Sequence, residues 1–488
     1  MLKTLAFDYG ASSGRGIIGE YDGQKLKLND VHRFSNNPVM IGNTLYWDVL
    51  NLFSEMKKGI AESIKLYGKD IKSIGVDTWG VDFGLLNKKG KLIGNPVHYR
   101  DDRTKGMIKK ADSIIGKENI YKTTGIAFQK FNTLYQLMAM REKEDCELNY
   151  AKNFLFMPDL FRYFLTGEKT CEYTIASTSQ MLDAKKRNWA YNMLKKLDIP
   201  VEMFGEIIEP GVKAGKLTKE LADEFNIDQI TVSAVAQHDT ASAVVAVPAK
   251  GDKYAYLSSG TWSLLGAQIK SPILTDKAHR LNYTNEGGYD NTIRMLKNIM
   301  GLWIFQECRR HWNKKGAEYS FDELEMAAQK EAKPFSAFIN PNDDIFYAPG
   351  KMPEKIQQYL KETGQKVLET KAEITRCVME SLALEYRKAL EGLEDILGYK
   401  IPVLNIVGGG CKNIMLCKYA ANAIKRPVIA GPVEATATGN ILCQLMALKE
   451  LSGLNEAREV VKNSFDVNEY LPHDTDAWDE AYERFKKL

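Results

Sequence analysis

No stretch of the 488-residue chain is long and apolar enough to span a bilayer, so a membrane-spanning role is set aside. An excess of one charge is missing too. The 66 Lys and Arg residues nearly balance 63 Asp and Glu, for a formal net charge of +3, and the cations are scattered. That balance offers little hold to nucleic acid or to a membrane surface. Cysteine is sparse and odd in number: Cys146, Cys171, Cys308, Cys377, Cys411, Cys417 and Cys443. They form no CxxC pair and support no zinc site. Small buried hydrophobes in a reducing cytoplasm are expected instead. The opening "MLKTLAFDYG" has no signal-peptide core or cleavage site, which also points to the cytoplasm. A GxxxxGK[ST] loop is lacking, which excludes a Walker-type nucleotide site.

What is present is enough chain for two large domains. "TLAFDYG" is strand-like, "ASSGR" is a polar turn, and "GIIGEYDG" resumes a strand ending at an Asp22-Gly23 hairpin signal before "QKLKL". The same opening returns after the midpoint as "KYAYLSSGTWSLLGAQIK". A duplicated architecture follows, with domains 1–247 and 248–488 joined near Val247–Lys253. "IKSIGVDTWGVDFGLLN" predicts two strands, and "PDLFRYFLTG" a helix with Pro158 early and Gly167 past its end. "IPVLNIVGGGCKNIMLCKYAANAIKRPVIAG" predicts strand, glycine turn, helix and strand. Hairpins and βα units together make the class α/β with mixed sheets.

"GRGIIG" matches the GxGxxG dinucleotide fingerprint, but no helix follows it, as pyrophosphate binding requires. An NAD-dependent dehydrogenase is therefore disfavoured. Tight Ser/Gly turns can instead present backbone N–H groups to phosphate. "ASSGR" and "SSGT", facing one another from duplicated domains, would hold a polyphosphate, and Asp8 could orient a hydrated Mg²⁺ beside it. Gly408–Gly410 of "IVGGGCKN" would leave a flat surface for a nucleobase and ribose. In "QHDTASAVVAVP", Asp239 stands where polar chain enters packed interior, as a first-turn or N-cap residue. Capping and a carboxylate at a cleft mouth both suit that place.

Taken together, "FDYGASSGR", "SSGTW" and "VGGGCKN" resemble the FGGY family of carbohydrate kinases. Further matching stretches run in order along nearly the whole chain: "IGVDTWGVDF", "YRDDRT", "FNTLYQL", "MPDLF", "QHDTASAV", "NEGG", "LKNIMGLW", "NPNDD" and "AGPVEATATGN". The resemblance implies two RNase H-like (actin-like ATPase) domains, with ATP and sugar in the interdomain cleft. It implies ATP-dependent phosphorylation of a ketose, L-rhamnulose at its carbon 1 hydroxyl, with L-fuculose or D-xylulose as alternatives. A non-catalytic sugar or nucleotide sensor on the same fold is the competing class. Asp239 is implied as the catalytic base, and Gly80, His238, Asp239, Thr240 and Asn298 as sugar contacts. Ala11, Ser12, Ser13, Gly14, Arg15, Thr261, Gln306 and Gly409 are implied to bind ATP, with Asp8 reaching Mg²⁺ through water. Ala11 follows Asp-x-Gly where the wider family commonly has Thr. Backbone phosphate binding survives that change, whereas side-chain contacts of other members do not transfer. The consequence of Tyr9 and the role of Trp79, stacking on sugar or packing, stay open at the level of sequence.

Overall fold

In the computed structural model, β1 (Leu2–Tyr9) and β2 (Ser13–Tyr21) form an antiparallel pair with Asp8 opposite Arg15. β2 continues into β3 (Leu26–Ser35) through the expected Asp-Gly turn. There Asp22 accepts from the N–H groups of Gln24 and Lys25 at 2.8 and 2.7 Å, which closes the turn locally. No helix follows "GRGIIG": all six residues lie in β2. The structure describes residues 1–314, 316 and 318–488.

β4 (Ile71–Thr78) lies parallel to β1, and such a pairing needs a crossover. The helix Val49–Tyr67 supplies it, capped by the Asp48 carboxylate and burying Val49, Leu52, Met56 and Ile60 along one face. β5 (Val212–Lys216) and β6 (Thr231–Ala234) complete a sheet in the order β5-β6-β4-β1-β2-β3. Leu5, Phe7, Ile74 and Val76 on its central strands are buried. The helix Met157–Thr166 starts with Pro158 in its first turn and ends at Gly167, as its sequence predicts.

The chain falls into two compact units. The first holds Met1–Pro248, Gln268–Met295 and Ala435–Phe465; the second holds Ala249–Ala267, Leu296–Glu434 and Asp466–Leu488. In the second unit β7 (Ala255–Ser259) pairs antiparallel with β8 (Trp262–Ile269) and parallel with β9 (Leu404–Val407). β10 (Val428–Ala430) continues the parallel run, and β11 (Asn468–Tyr470) closes it antiparallel. β7, β8, β9 and β10 thus repeat the pairings of β1, β2, β4 and β6, which is the duplication the two similar openings predict. The helix Lys371–Leu397 is started by a Thr370/Glu373 capping box and lies against the helices Phe321–Glu331 and Ile414–Ile424.

None of the described helices is long and apolar enough to cross a membrane. Six cysteines are buried and unpaired; Cys146 is the exception to the expected burial, being exposed.

Candidate active site

Three segments distant in sequence meet around His238 in the first unit. β4 ends at Thr78, whose N–H donates to the Gln237 carbonyl at 2.9 Å, so residues 78–80 lie beside 237–239. The chain then enters the helix Asp239–Val245, with His238 as its N-cap and Asp239 as its first residue. Thr240 to Val245 are buried, which accounts for the small apolar run after the His-Asp pair. This helix packs on the helix Ala435–Ala447 of the same unit, with Gly439 directly over the Ser242 backbone. A Cβ at 439 would collide with the Ser242 carbonyl oxygen, so only glycine permits the approach.

The Asp239 side chain is about one-third exposed. Its Oδ1 accepts from the Thr240 backbone at 2.5 Å and lies 3.3 Å from His238 Nε2. Among the described residues Oδ2 has no hydrogen-bond partner. The loop is anchored from below by Glu172, which is buried and accepts from the N–H groups of Gln237, Thr174 and Ile175 at 3.2, 2.8 and 3.1 Å. The Thr174 hydroxyl donates to Glu172 and accepts from the His238 N–H. Burial pushes the Glu172 carboxyl up to about 8, against the pull of these donors.

On the imidazole's other side, Arg294 Nη2 lies 3.1 Å from His238 Nδ1 and 3.1 Å from Glu286 Oε2. Burial works to raise the Glu286 carboxyl, but the Arg294 guanidinium beside it helps hold the group below the usual carboxylate range. Gly80 leaves space beside the ring: a Cβ there would sit 3.4 Å from both His238 Nε2 and Thr178 Oγ1. Trp79 packs. It is buried against Trp47 at 4.1 Å between centroids, and its indole N–H donates to Asp82. Asp82 also takes the Trp47 indole and the Tyr99 N–H, and burial pushes its carboxyl up to about 6.

Asp8 and Asp77 are neighbours across β1 and β4. Arg15 donates to Asp8 Oδ2 through Nε and Nη2 at 3.1 and 2.8 Å. Asp77 is fully buried; its Oδ2 accepts from Asn440 at 2.6 Å and its Oδ1 has no partner. Burial raises the Asp77 carboxyl well above its ordinary range, and the negative charges of Asp8 and Asp239 raise it further. The turn before Arg15 is closed by a bond from Gly10 N–H to the Ser13 carbonyl, and Ala11, Ser12 and Ser13 are exposed. Gly14 is buried under the Phe34 ring, which leaves no room for a side chain. Tyr9 is also structural: it stacks on Phe161 and donates to the Leu52 carbonyl.

In the second unit the turn between β7 and β8 is also closed from its glycine, but one residue tighter: Gly260 N–H donates to the Trp262 carbonyl at 2.8 Å. The Thr261 carbonyl takes the N–H of Trp303, which opens the helix Trp303–Asn313. Thr261 Oγ1 thereby comes 3.4 Å from Gln306 Oε1. The three glycines of "VGGGC" separate in role. Gly408, at φ 86°, and Gly410 press against Ser259, whereas a Cβ on exposed Gly409 would meet nothing within 4 Å. Asn298 is half-buried on the strand Ile293–Met300 and makes no side-chain hydrogen bond among the described residues.

The structure thus gathers Gly80, His238, Asp239 and Thr240 in one unit, and Thr261 with Gln306 in the other. Sequence reasoning passed over Glu172, Asp77, Glu286 and Arg294. Only "NEGG" and "DTWGVDF", which contain Glu286 and Asp77, carried any signal for them.

Two family models match the chain: the N-terminal domain of the FGGY family of carbohydrate kinases over residues 3–246, and its C-terminal domain over 255–448. A rhamnulokinase of Bacteroides thetaiotaomicron is 43% identical over 482 residues, covering 99% of this chain and 98% of that protein. A rhamnulokinase of Bacillus subtilis is 41% identical over 472 residues, covering 96% of each. Among solved structures, a ligand-bound xylulose kinase from Lactobacillus acidophilus superposes with a TM-score of 0.84 at 17% identity, over 100% of this chain and 97% of that one. The ADP complex of Plasmodium falciparum glycerol kinase gives 0.79 at 17% identity, over 99% and 98%.

Proposed function

From the premise that the chain belongs to the FGGY family of carbohydrate kinases, we propose that it transfers the γ-phosphoryl group of ATP to the carbon 1 hydroxyl of L-rhamnulose. The products are L-rhamnulose 1-phosphate and ADP. The observation that carries the choice of sugar is the likeness to rhamnulokinases, at 41–43% identity over nearly the full length.

Asp239 is the general base. The Thr240 N–H engages Oδ1, and Oδ2 is left to accept the hydroxyl proton as the sugar oxygen attacks phosphorus. The backbone bond from Thr240 fixes the carboxylate, so no reorganisation is needed at the moment of transfer. Gly80, His238, Thr240 and Asn298 hold the sugar; the space beside Gly80 admits a hydroxyl close to His238 Nε2. Ala11, Ser12, Ser13, Gly14 and Arg15 bind phosphate, and Thr261, Gln306 and open Gly409 bind the rest of ATP.

The donor set around Asp8 fits Mg²⁺. Hard carboxylate oxygens suit it, and the mutual repulsion of Asp8, Asp77 and Asp239 is relieved by a divalent cation. Among the described residues no group of three or more such side chains is arranged as a metal cage. Arg15 occupies Asp8 Oδ2, so Asp8 would hold the ion through water. The ion supplies charge neutralisation on the phosphates. A cytoplasmic location accords with the unpaired cysteines and with the absence of a spanning helix among the described residues.

The test is ADP release from Mg-ATP with L-rhamnulose, L-fuculose, D-xylulose and glycerol in parallel, with Asp239→Asn beside the wild type. Turnover on L-rhamnulose above the others, reduced about 10²–10⁴-fold in the variant, is expected. Preference for another ketose moves the substrate. No sugar-dependent turnover by protein that binds ATP overturns the kinase reading in favour of a sensor.

A further inference from the structure

A guanidinium lies against the imidazole of His238. Arg294 is fully buried, and its Nε donates to the Gly287 carbonyl at 2.7 Å. That bond holds the guanidinium plane so that Nη2 meets both His238 Nδ1 and Glu286 Oε2, each at 3.1 Å. Arginine has donors only and does not deprotonate in proteins. The two hydrogens of Nη2 match two acceptors, so Nδ1 must present its lone pair and the imidazole hydrogen must lie on Nε2. The alternative sends an Nδ1–H toward Glu286 Oε2, 3.4 Å away. It would set that N–H against an arginine N–H at 3.1 Å, donor against donor.

We propose that Arg294 is a positioning residue that locks His238 as the neutral Nε2–H tautomer. Nε2 lies 3.3 Å from Asp239 Oδ1 and beside the space that Gly80 keeps open. The locked ring is therefore a donor toward that space. A substrate oxygen seated there receives the His238 hydrogen bond and keeps its own proton directed at the base. Asp239, Glu286 and Arg294 are the charged groups that touch the ring. The consequence for substrate rests on the kinase function proposed above; the tautomer does not.

The test is a long-range ¹H–¹⁵N correlation spectrum of the full chain labelled at histidine, recorded without substrate at about pH 8, where imidazoles are neutral. His238 is assigned among the six histidines by loss of its signals in His238→Gln. Unprotonated Nδ1 and protonated Nε2 are expected, and a protonated Nδ1 overturns the proposal. In Arg294→Met, Nδ1–H bonded to Glu286 is expected, with kcat/KM for the ketose down about tenfold and KM for ATP within about twofold. An unchanged tautomer in that variant overturns the lock. Glu286→Gln, which keeps the Arg294 donor, serves where Arg294→Met does not fold. It should retain Nε2–H, and a switch to Nδ1–H there assigns the control to Glu286 and overturns the proposal. Nε2–H in a wild type that turns over no sugar supports the lock and sinks only the kinase function.

Discussion

The turn after β1 and the turn after β7 share a frame but not a chemistry. Each follows a strand held antiparallel on one side and parallel on the other, and each is closed by a bond from its glycine N–H, Gly10 or Gly260. Two residues before that glycine the first unit has Asp8, facing Arg15 and Asp77. The same place in the second unit has Ser258, facing Leu264 and Val407. The duplicated backbone therefore repeats the glycine turn, while the carboxylate two residues before it is present in the first unit and replaced by a serine in the second.

The sharpest way to break this comparison is to neutralise one side of it. Asp8→Asn should lower kcat/KM about 10²–10³-fold, as removal of one preorganised electrostatic group does, while Ser258→Ala stays within a few fold. Both are read by steady-state ADP release at saturating Mg²⁺. Equal effects would show that the two turns do the same work.

The glycines of the second turn region give the next largest effect. Gly410→Ala forces a methyl into Ser259 and should cost about 1–3 kcal/mol in denaturant unfolding. Gly409→Ala meets nothing and should leave stability within about 0.5 kcal/mol while raising KM for ATP. Loss of stability at both positions would return the triplet to a purely packing role.

A pH-dependent effect concerns the carboxylate that anchors the loop before Asp239. Glu172 titrates at about 8 when folded, far above its ordinary 4.5, so the folded state binds the extra proton over that interval. Its stabilising contribution is full below about pH 4.5 and is lost as pH rises through 8. Glu172→Gln should flatten the fall in stability between those limits, measured as denaturation midpoints at several pH values. An unchanged slope would assign the dependence to other buried carboxylates, such as Glu380, which titrates at about 7 in the second unit.

Local signals made much of this protein legible. The Asp22-Gly23 turn, the proline and glycine bracketing Met157–Thr166, and the repeated strand–Ser/Gly-turn–strand opening each depend on a few adjacent residues, and each is found where expected. Motif resemblance extended this to the family, because strings such as "QHDTAS" and "VGGGCKN" are compact and run in order along the chain. It singled out Gly409 of the three glycines for ATP, but three identical letters hide that the other two, Gly408 and Gly410, press against Ser259.

What the sequence determined by itself was the Asp22-Gly23 hairpin, the repeated strand–turn–strand opening and Asp8 near the end of its first strand, all consequences of short-range sterics and hydrophobic alternation. Only the tertiary structure decided that Arg294 and Glu286 lie beside His238, far from them in the chain. It alone decided that Asn440 pairs with Asp77 across 363 residues. Such pairings are set by which strand packs beside which helix. A buried polar group takes whatever partner the packed core brings within hydrogen-bond reach, and no pattern of neighbouring residues encodes that choice.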